Sequence, residues 1–209
     1  MRVTLLVLTL STFGAFGIAC SSTTVTNSAS DAGTTPGEDG GATEDAGTTP
    51  EASAPFALTS SVLTEGATMN AAQTCNGADQ SPDLAWGPGP EGTKSYAIVL
   101  NDQTLDFLHS IIYDIPASVT SIPGAVDRAF EPTKVPGAKQ NESFRRGRFG
   151  YAGPCPPKPN EDTYELVLYA LKVDKLSGLT NKSTLADTLA ELEKQKLATT
   201  KLTGKYKQP

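Results

Sequence analysis

The residue with the widest choice of chemistry in this 209-residue chain is its one histidine, His109. It lies in the stretch NDQTLDFLHSIIYDIP, seven residues after Asp102 and three after Asp106. An imidazole beside a carboxylate can transfer protons, bind a metal ion or donate hydrogen bonds to an anion. It can equally be a hydrogen-bonded residue inside a β-strand. We expect a nearby carboxylate to favour the charged form of the ring by raising its pKa.

Other catalytic and metal-binding motifs are absent from the sequence. One histidine excludes a multi-histidine metal site within the chain, and no Gly-x-Ser-x-Gly, Gly-Lys-Ser/Thr or Cys-x-x-Cys motif occurs. Ser110 is adjacent to His109, but neighbouring side chains on a strand point to opposite faces. Ser110 is therefore poorly placed as a nucleophile for His109. The sequence predicts a protein that is not an enzyme and that uses no cofactor.

Three segments have the composition of β-strands. Residues 95–100, 109–115 and 164–171 are short and rich in β-branched and aromatic side chains, and the last is almost entirely apolar, which predicts burial on both faces. Residues 56–63 are predicted as a first strand. Gly and Pro interrupt the chain in four places, which predicts loops at residues 87–92, 123–124, 136–137 and 153–159.

One helix is predicted near the C-terminus. Thr184 can cap its N-terminus, and Asp187, three residues later, completes an acidic capping box. The residues that recur at helical spacing are Leu185, Leu189, Leu192 and Lys196. Leu197 extends the apolar face, and we expect the helix to end before Gly204. The domain is therefore expected to be mainly β, with long loops of the kind that often carry a binding site.

The first 19 residues are typical of an export signal. Arg2 gives a short positive start, and the apolar run over residues 3–18 is shorter than a membrane-spanning helix. The tetrapeptide GIAC, residues 17–20, resembles a bacterial lipobox, in which the cysteine is lipidated and becomes the new N-terminus. We expect a lipid anchor at Cys20. Cleavage after Ala19 without lipidation is the alternative and leads to a secreted protein.

Residues 20–55 have the composition of an acidic, disordered tether. They contain six acids, no Lys or Arg, and Val25 as their only large aliphatic residue, so they cannot bury enough apolar surface to fold. The other 17 acids and, without Arg2, 16 bases lie in residues 56–209, which leaves that domain nearly neutral. This balance gives no sign of a nucleic-acid partner.

The predicted location is the bacterial cell envelope. Ser21 follows the lipid cysteine, whereas an Asp at this place retains some bacterial lipoproteins at the inner membrane. We therefore favour anchoring at the outer membrane.

Two cysteines, Cys75 and Cys155, lie in the predicted domain. An exported protein meets an oxidising compartment, where a disulfide between them would persist. Spacing alone does not distinguish this disulfide from two separate buried thiols.

Five stretches, taken in order, resemble one family. They are TCNGADQSPDLAW (74–86), GTKSYAIVLND (92–102), HSIIYDIP (109–116), GYAGPCPP (150–157) and TYELVLYALKVD (163–174). Together they resemble the phosphatidylethanolamine-binding protein (PEBP) family, also called Raf-kinase-inhibitor-like, in its bacterial branch. The resemblance covers about residues 56–206. It implies a mainly β fold in which a large central antiparallel sheet is joined by a smaller sheet and flanking helices, here including the C-terminal helix.

The resemblance also implies a small surface pocket that holds a phosphate-like anion. Carried over residue by residue, its lining includes Asp102, His109 and Tyr164. A protonated histidine and a tyrosine hydroxyl both donate the hydrogen bonds that phosphate oxygens accept. Backbone N–H groups of the loop that contains Gly153 and Pro154 can add more.

Two departures from the family affect this pocket. The Asp-Pro-Asp-Ala-Pro stretch of the family is residues 102–106 here, without either proline, and the second pocket histidine is replaced by Asp162. A carboxylate about 5 Å from a phosphate charge costs about 3 kcal/mol at an effective dielectric constant of about 20. Asp162 therefore opposes anion binding unless it points away or nearby bases compensate. A solvated basic loop is the favoured interpretation of four such bases, Arg145, Arg146, Arg148 and Lys158.

The function expected from these observations is that of a non-catalytic, envelope-tethered binding module. It would bind a small anionic ligand such as a phospholipid head group, or inhibit a protein partner. Two alternatives stay open. In one, the pocket has decayed and the domain is a scaffold that acts through protein contacts. In the other, Asp102, His109 and Asp162 bind a divalent cation, which carboxylate and imidazole groups suit better than a phosphate.

Overall fold

The computed structural model describes residues 55–209. The predicted export signal (1–19), the lipid-bearing Cys20 and all of the predicted tether except Pro55 lie outside these residues. Within the described part, no helix is long and apolar enough to cross a membrane.

Nine strands, one short 3-10 helix and one α-helix make up this part of the chain. In chain order they are β1 (Leu58–Thr59), β2 (Ala67–Thr68), the 3-10 helix (Ala71–Gln73), β3 (Leu84–Trp86), β4 (Ser95–Asp102), β5 (Phe107–Pro116), β6 (Ser121–Ile122), β7 (Lys139–Gln140), β8 (Glu161–Leu171), α1 (Leu185–Gln195) and β9 (Lys196–Lys207).

The strands form a large and a small sheet, which confirms the predicted fold class. The large sheet has the order β2-β9-β8-β4-β5-β7, and the small sheet has the order β1-β3-β6. All pairs are antiparallel except β2 with β9, which are parallel. β4 thus lies between β5 and β8. The C-terminal end of β4 and the N-terminal ends of β5 and β8 therefore lie side by side at the same end of the sheet.

The hydrophobic core has two parts, one on each face of the large sheet. Trp86 of the small sheet belongs to the first part together with Ile98. Leu192 of α1 belongs to the second part together with Val99. Because Ile98 and Val99 are neighbours on β4, this strand is buried on both faces. Packing on both faces fixes the position of β4 in the sheet.

The three long predicted strands are confirmed, and so is the start of the helix. Observed lengths of 8, 10 and 11 residues for β4, β5 and β8 exceed the predicted ones. The Thr184 N–H donates to Asp187 Oδ2 at 2.9 Å, and the Asp187 N–H donates to Thr184 Oγ1 at 3.1 Å, which completes the capping box. The four segments rich in Gly and Pro are loops as predicted.

The helix ends before Gly204, as predicted, but its predicted continuation through Lys196 and Leu197 is wrong. The helix ends at Gln195, Lys196 has the extended angles φ −62° and ψ 131°, and residues 196–207 form β9. Leu197 is 40% exposed and does not extend the apolar face. β9 pairs with β8 along its length, and a Cβ on Gly204 would lie 2.7 Å from Met69 Cγ. Backbone pairing with β8 therefore outweighs the helical spacing of the preceding leucines.

The predicted first strand is also longer than the observed one. Only Leu58 and Thr59 pair with β3. The next residues leave the sheet because Ser61 donates from its backbone N–H and its hydroxyl to the Asp83 carboxylate, at 3.0 and 2.9 Å. A side-chain acceptor thus replaces the sheet as partner of this backbone.

Candidate functional site

A cavity of about 260 Å³ opens at the end of the large sheet where β4 ends and β5 and β8 begin. Asp102 is the last residue of β4, His109 lies near the start of β5, and Tyr164 lies near the start of β8. In the β4–β8 register, Asp102 is directly opposite Tyr164. All three side chains line the cavity. The structure therefore brings together the three residues that the family resemblance selected.

Loop residues complete the cavity wall. They are Leu105, Phe107, Phe144, Arg145, Cys155, Pro156 and Pro157. The predicted loop residues Gly153 and Pro154 are not among them and are buried. The Gly153 N–H donates to Asp79 Oδ1 at 2.7 Å, and the Pro154 carbonyl accepts from the Cys75 N–H at 3.0 Å. These backbone groups are used inside the protein and are not offered to a ligand.

His109 is a neutral, oriented ring in this cavity. Its Nδ1 lies 2.9 Å from the Ala152 carbonyl oxygen, and because that oxygen can only accept, Nδ1 carries the hydrogen. Burial lowers the pKa of His109, although the Ala152 hydrogen bond and the Asp102 charge act to raise it. The charge of Asp102 favours the charged form, as expected, but desolvation outweighs it because His109 is only 4% exposed.

The turn after Asp102 is fixed by hydrogen bonds in place of the missing prolines. Asp102 Oδ1 accepts from the backbone N–H groups of Thr104, at 2.9 Å, and Leu105, at 3.1 Å. Thr104 Oγ1 accepts from the Thr163 N–H at 2.8 Å, which ties the turn to β8. An aspartate carboxylate that accepts hydrogen bonds from the backbone N–H groups two and three residues later stabilises the turn that it begins. The loop geometry is therefore retained without the prolines of the family pattern.

Asp162 lies behind the cavity and not in its wall. It is 2% exposed, and within residues 55–209 its Oδ2 has no hydrogen-bond partner. Burial is the main cause that raises the pKa of Asp162, followed by the charge of Asp102 and a hydrogen bond with it. The raised pKa favours the neutral carboxyl group more than in an exposed aspartate, which weakens the predicted repulsion of an anion.

Tyr164 keeps its hydroxyl proton for the same kind of reason. Its pKa is raised, first by burial and then by the charge of Asp102 and a hydrogen bond with that carboxylate. The ring packs edge to face on His109, with the ring centroids 5.4 Å apart. Tyr164 is therefore a neutral hydrogen-bond donor beside the imidazole.

An arginine cluster around Asp79 adjoins the cavity. Asp79 Oδ2 pairs with Arg145 Nη1 at 2.7 Å, Arg148 Nη2 at 3.2 Å and Arg128 Nη2 at 3.3 Å. Three guanidinium groups face one carboxylate, so these four side chains carry two net positive charges. Arg145 belongs to both the cluster and the cavity wall.

The prediction of a solvated basic loop is therefore wrong for two of its four residues. Arg145 and Arg148 form ion pairs with Asp79. Asp79 is only 7% exposed, so its buried charge is stabilised by these charged partners. Arg146 and Lys158 are exposed, as predicted.

The two cysteines of the described residues form a disulfide. Cys75 and Cys155 are joined with an S–S distance of 2.07 Å, and 80 positions separate them in the sequence. The alternative of two separate thiols is thus not what the structure has. Cys155 is exposed and lines the cavity, whereas Cys75 is half-buried. One residue of the pair, Cys155, therefore belongs to the candidate site.

Comparisons with known sequences and structures identify the family of this chain. A family model described as phosphatidylethanolamine-binding protein matches residues 59–207. The chain belongs to the phosphatidylethanolamine-binding protein family. The position of Asp102, His109 and Tyr164 around one cavity is thus a feature of a PEBP-family chain, which confirms the predicted family.

Three relatives of this PEBP-family chain show how far the similarity extends. The UPF0098 protein of Aquifex aeolicus (strain VF5) is 34% identical over 139 residues, which are 64% of this chain and 78% of the relative. The crystal structure of Escherichia coli YbcL, described as a new member of the mammalian PEBP family, has a TM-score of 0.67 and 32% identity, and the match covers 74% of this chain and 99% of that one. Lipoprotein LppC of Mycobacterium tuberculosis (strain ATCC 25618 / H37Rv) is 32% identical over 135 residues, 63% of each chain.

Two of the chemistries considered for the PEBP pocket find no support in the described residues. Ser110 lines a separate internal cavity of about 40 Å³ on the other face of β5, so it does not face His109. No group of three or more His, Cys, Asp and Glu side chains within residues 55–209 is arranged to hold a metal ion. Asp162 is not in the wall that contains Asp102 and His109, so the three do not form a divalent-cation site.

Several residues of the PEBP pocket were missed by sequence reasoning. Leu105 and Phe107 are 58% and 45% exposed at its mouth, although they lie in the quoted stretch around His109. Asp79 and Arg128 are far apart in the sequence, and only the fold shows that they pair. The one available signal was an isolated acid, Asp79, inside a stretch already quoted for the resemblance.

Proposed function

We propose that this PEBP-family protein is a non-catalytic binding module that holds a small ligand with an anionic, phosphate-like group. The observation that carries the proposal is the shared cavity of His109, Tyr164 and Arg145. A guanidinium is a donor that suits anionic oxygens, and the Tyr164 hydroxyl, which donates to Asp102 in the free protein, can donate to a bound anion instead. The cavity encloses enough volume for a head group and little more.

The charge around the cavity supports an anion more than its acid count suggests. Asp102 is the one acid in the wall, and its Oδ1 already accepts two backbone N–H groups. The pKa of Asp162 is raised by burial, which favours its neutral form more than in an exposed aspartate. Arg145 belongs to a cluster with two net positive charges, so the field at this edge of the cavity is positive.

His109 couples anion binding to proton uptake. In the neutral ring Nδ1 donates to Ala152, so Nε2 is an acceptor and cannot bind an unprotonated anionic oxygen. An anion therefore binds well only when His109 takes up a proton or the ligand brings one. Because the pKa of free His109 is below its ordinary value of 6.5, affinity is expected to rise as the pH falls from 7.5 towards 5.5.

We also propose that the module is anchored in the cell envelope through Cys20. The sequence Gly17–Cys20 supports lipidation, and a relative that carries the name lipoprotein LppC supports the same location. Metabolic labelling with palmitate checks this part. Label on the wild-type chain and none on the Cys20→Ala variant is the expected result, and an unlabelled wild-type chain contradicts the anchor.

The test of ligand binding is a histidine NMR titration of the full chain with Cys20→Ser. One histidine gives one set of ring signals, so every shift reports on His109. Phosphate and phosphoethanolamine are expected to shift these signals saturably and to raise the pKa of His109. A Tyr164→Phe variant, which removes one donor and keeps the ring, is expected to bind about threefold to tenfold more weakly, as for the loss of about 1 kcal/mol of hydrogen bonding.

The outcomes of the titration separate the two candidate functions. If neither phosphate compound moves the His109 signals, the anion-binding proposal fails. The second candidate, a scaffold that acts through protein contacts, then gains support. This scaffold function rests on Leu105 and Phe107, which lie together at the cavity mouth. They are two of the four large apolar side chains that are exposed within residues 55–209.

A further inference from the structure

We infer that the sulfur of Cys155 is a thiol–disulfide exchange site inside the ligand cavity, which reacts with a small anionic thiol. Cys155 is exposed and is one of the residues that line the cavity, whereas Cys75 is half-buried and does not line it. Which sulfur of a disulfide is attacked depends on access. A thiol that enters the cavity therefore meets Cys155 first. This inference does not depend on the proposed binding of phosphate-like ligands.

The charge beside Cys155 favours an anionic thiol. The attacking species is the thiolate, and Arg145 stands in the same wall as Cys155. Arg145 brings the net positive charge of the cluster around Asp79 to the cavity. Asp102, also in the wall, offsets part of this field, but its Oδ1 already accepts two backbone hydrogen bonds. A positive cavity raises the local concentration of anions and speeds their encounter.

Hydrogen bonds hold the two cysteine loops together without the disulfide. The Cys75 N–H donates to the Pro154 carbonyl at 3.0 Å, and the Tyr151 hydroxyl donates to the Gln73 carbonyl at 2.8 Å. Asp79 Oδ1 adds an acceptor for the loop of Cys155 at 2.7 Å. The two sulfurs therefore stay near each other when their bond opens. Opening is expected to be local and reversible, and not a step of unfolding.

The exchange step needs no reactant other than the thiol. The thiolate sulfur attacks Sγ of Cys155 and forms a mixed disulfide, while the Cys75–Cys155 bond breaks and its electron pair goes to Sγ of Cys75. Cys75 takes a proton from solvent, and Asn76 Oδ1, 3.5 Å from its sulfur, is placed to accept a hydrogen bond from the new thiol. The incoming thiol is oxidised and Cys75 is reduced, so the electrons balance. Attack of Cys75 on the mixed disulfide restores the starting state.

The first experiment locates the adduct. The full chain with Cys20→Ser, which leaves only the two paired cysteines, is mixed with 2-mercaptoethanesulfonate and quenched with acid. Free thiols are alkylated, and the adduct is mapped by mass spectrometry. The expected result is a mixed disulfide on Cys155 and an alkylated Cys75. An adduct found mainly on Cys75, or no adduct while cystine reacts under the same conditions, overturns the inference.

The second experiment tests the charge preference. Rates are compared for 2-mercaptoethanesulfonate and cysteamine, each normalised to its thiolate concentration and to its reaction with a neutral reference disulfide. The anionic thiol is expected to react about tenfold faster at low salt, within the range of electrostatic steering. This advantage is expected to shrink as the salt concentration rises to about 1 M, where the Debye length is only about 3 Å. Equal rates for the two thiols overturn the inference as stated.

A matched pair of variants assigns the charge effect to one residue. Arg145→Gln is expected to remove most of the anionic advantage, because Arg145 stands in the cavity wall. The control variant, Arg146→Gln, changes the neighbouring arginine. Arg146 lines a separate groove, which also contains Lys182, and not the cavity, so this variant is expected to keep the advantage. Circular dichroism of each variant checks the fold. If Arg145→Gln folds and retains the full advantage, the assignment of the preference to this wall is wrong.

Discussion

Asp162 lies beside Asp102 with a buried carboxylate oxygen, Oδ2, that finds no hydrogen-bond partner in residues 55–209. Asp102 accepts two backbone N–H groups, so its charge is compensated, whereas the charge of Asp162 is not. Burial, followed by the nearby charge of Asp102, raises the pKa of Asp162. The raised pKa lessens the cost of burying the acid that replaces a pocket histidine of the family.

Asp162→Asn is expected to stabilise the protein at high pH. The folded-state pKa of Asp162 is raised above its ordinary value of 3.8, so the native state binds the proton more tightly than the unfolded chain. Its contribution to stability is complete below pH 3.8 and is lost as the pH rises through the folded-state pKa. The variant removes this loss. Urea unfolding at pH 8 and pH 4 should show a gain for Asp162→Asn at pH 8 that disappears at pH 4.

Asp127→Asn is the matched control for the direction of this change in stability. Asp127 accepts from the N–H groups of Lys134, at 3.0 Å, and Thr133, at 2.8 Å, and these bonds lower its pKa. Its replacement should destabilise the protein at pH 8, with a smaller effect at low pH. If both variants shift stability in the same direction at pH 8, the raised pKa assigned to Asp162 is incorrect.

His109 is expected to titrate below its ordinary pKa of 6.5 and to make the fold less stable in mild acid. The unfolded chain takes up the histidine proton first, so the contribution to stability is present above pH 6.5 and is lost as the pH falls through the lower folded-state pKa. His109→Gln should remove this part of the pH dependence. NMR gives the pKa directly, and a free-state value above 6.5 would show that burial is not the dominant cause.

Asp79→Asn is expected to cost about 2–3 kcal/mol of unfolding free energy, somewhat less than the usual cost of removing one partner from a buried ion pair because the arginines are partly exposed. Asn also tolerates the positive φ of 55° at this position, so the change isolates the charge. Chemical denaturation at pH 7 measures the loss. Glu191→Gln breaks a surface pair with Lys194 and should cost far less than Asp79→Asn. Similar losses for the two variants would contradict the role of Asp79.

Removal of the disulfide is expected to lower stability by about 2–5 kcal/mol and to leave the cavity in place. The loss follows from the greater freedom of the unfolded chain, because the bond joins positions 80 apart. The change is Cys75→Ser with Cys155→Ser. Urea unfolding measures the stability, and the His109 NMR signals at neutral pH report on the cavity. A large shift of these signals would mean that the hydrogen bonds between the loops do not hold the wall alone.

Local sequence patterns predicted those parts of the fold in which local and long-range preferences agree. β4, β5 and β8 are β-branched or aromatic and also central in the sheet, so composition and pairing point to one structure. For residues 196–207 the two preferences differ. Leucine spacing favours a longer helix, and pairing with β8, which no local pattern shows, decides for a strand.

The site was predictable only as far as the family pattern reaches. Asp102, His109 and Tyr164 were assigned by resemblance, and the structure places them around one cavity. The protonation states were not accessible, because they depend on burial that a sequence does not show. The burial of His109 outweighs the charge of Asp102, and the arginine cluster on Asp79 depends on contacts across 49 to 69 positions.

The place of β9 in the large sheet has a consequence for biosynthesis. β9 is the last strand in the described sequence, yet it lies inside the sheet between β2 and β8. A nascent chain that has been made only to Gln195 therefore carries β8 with a whole edge unpaired. Such an edge can pair with another chain and start aggregation. The domain is expected to acquire its stable form only after translation has passed Lys207.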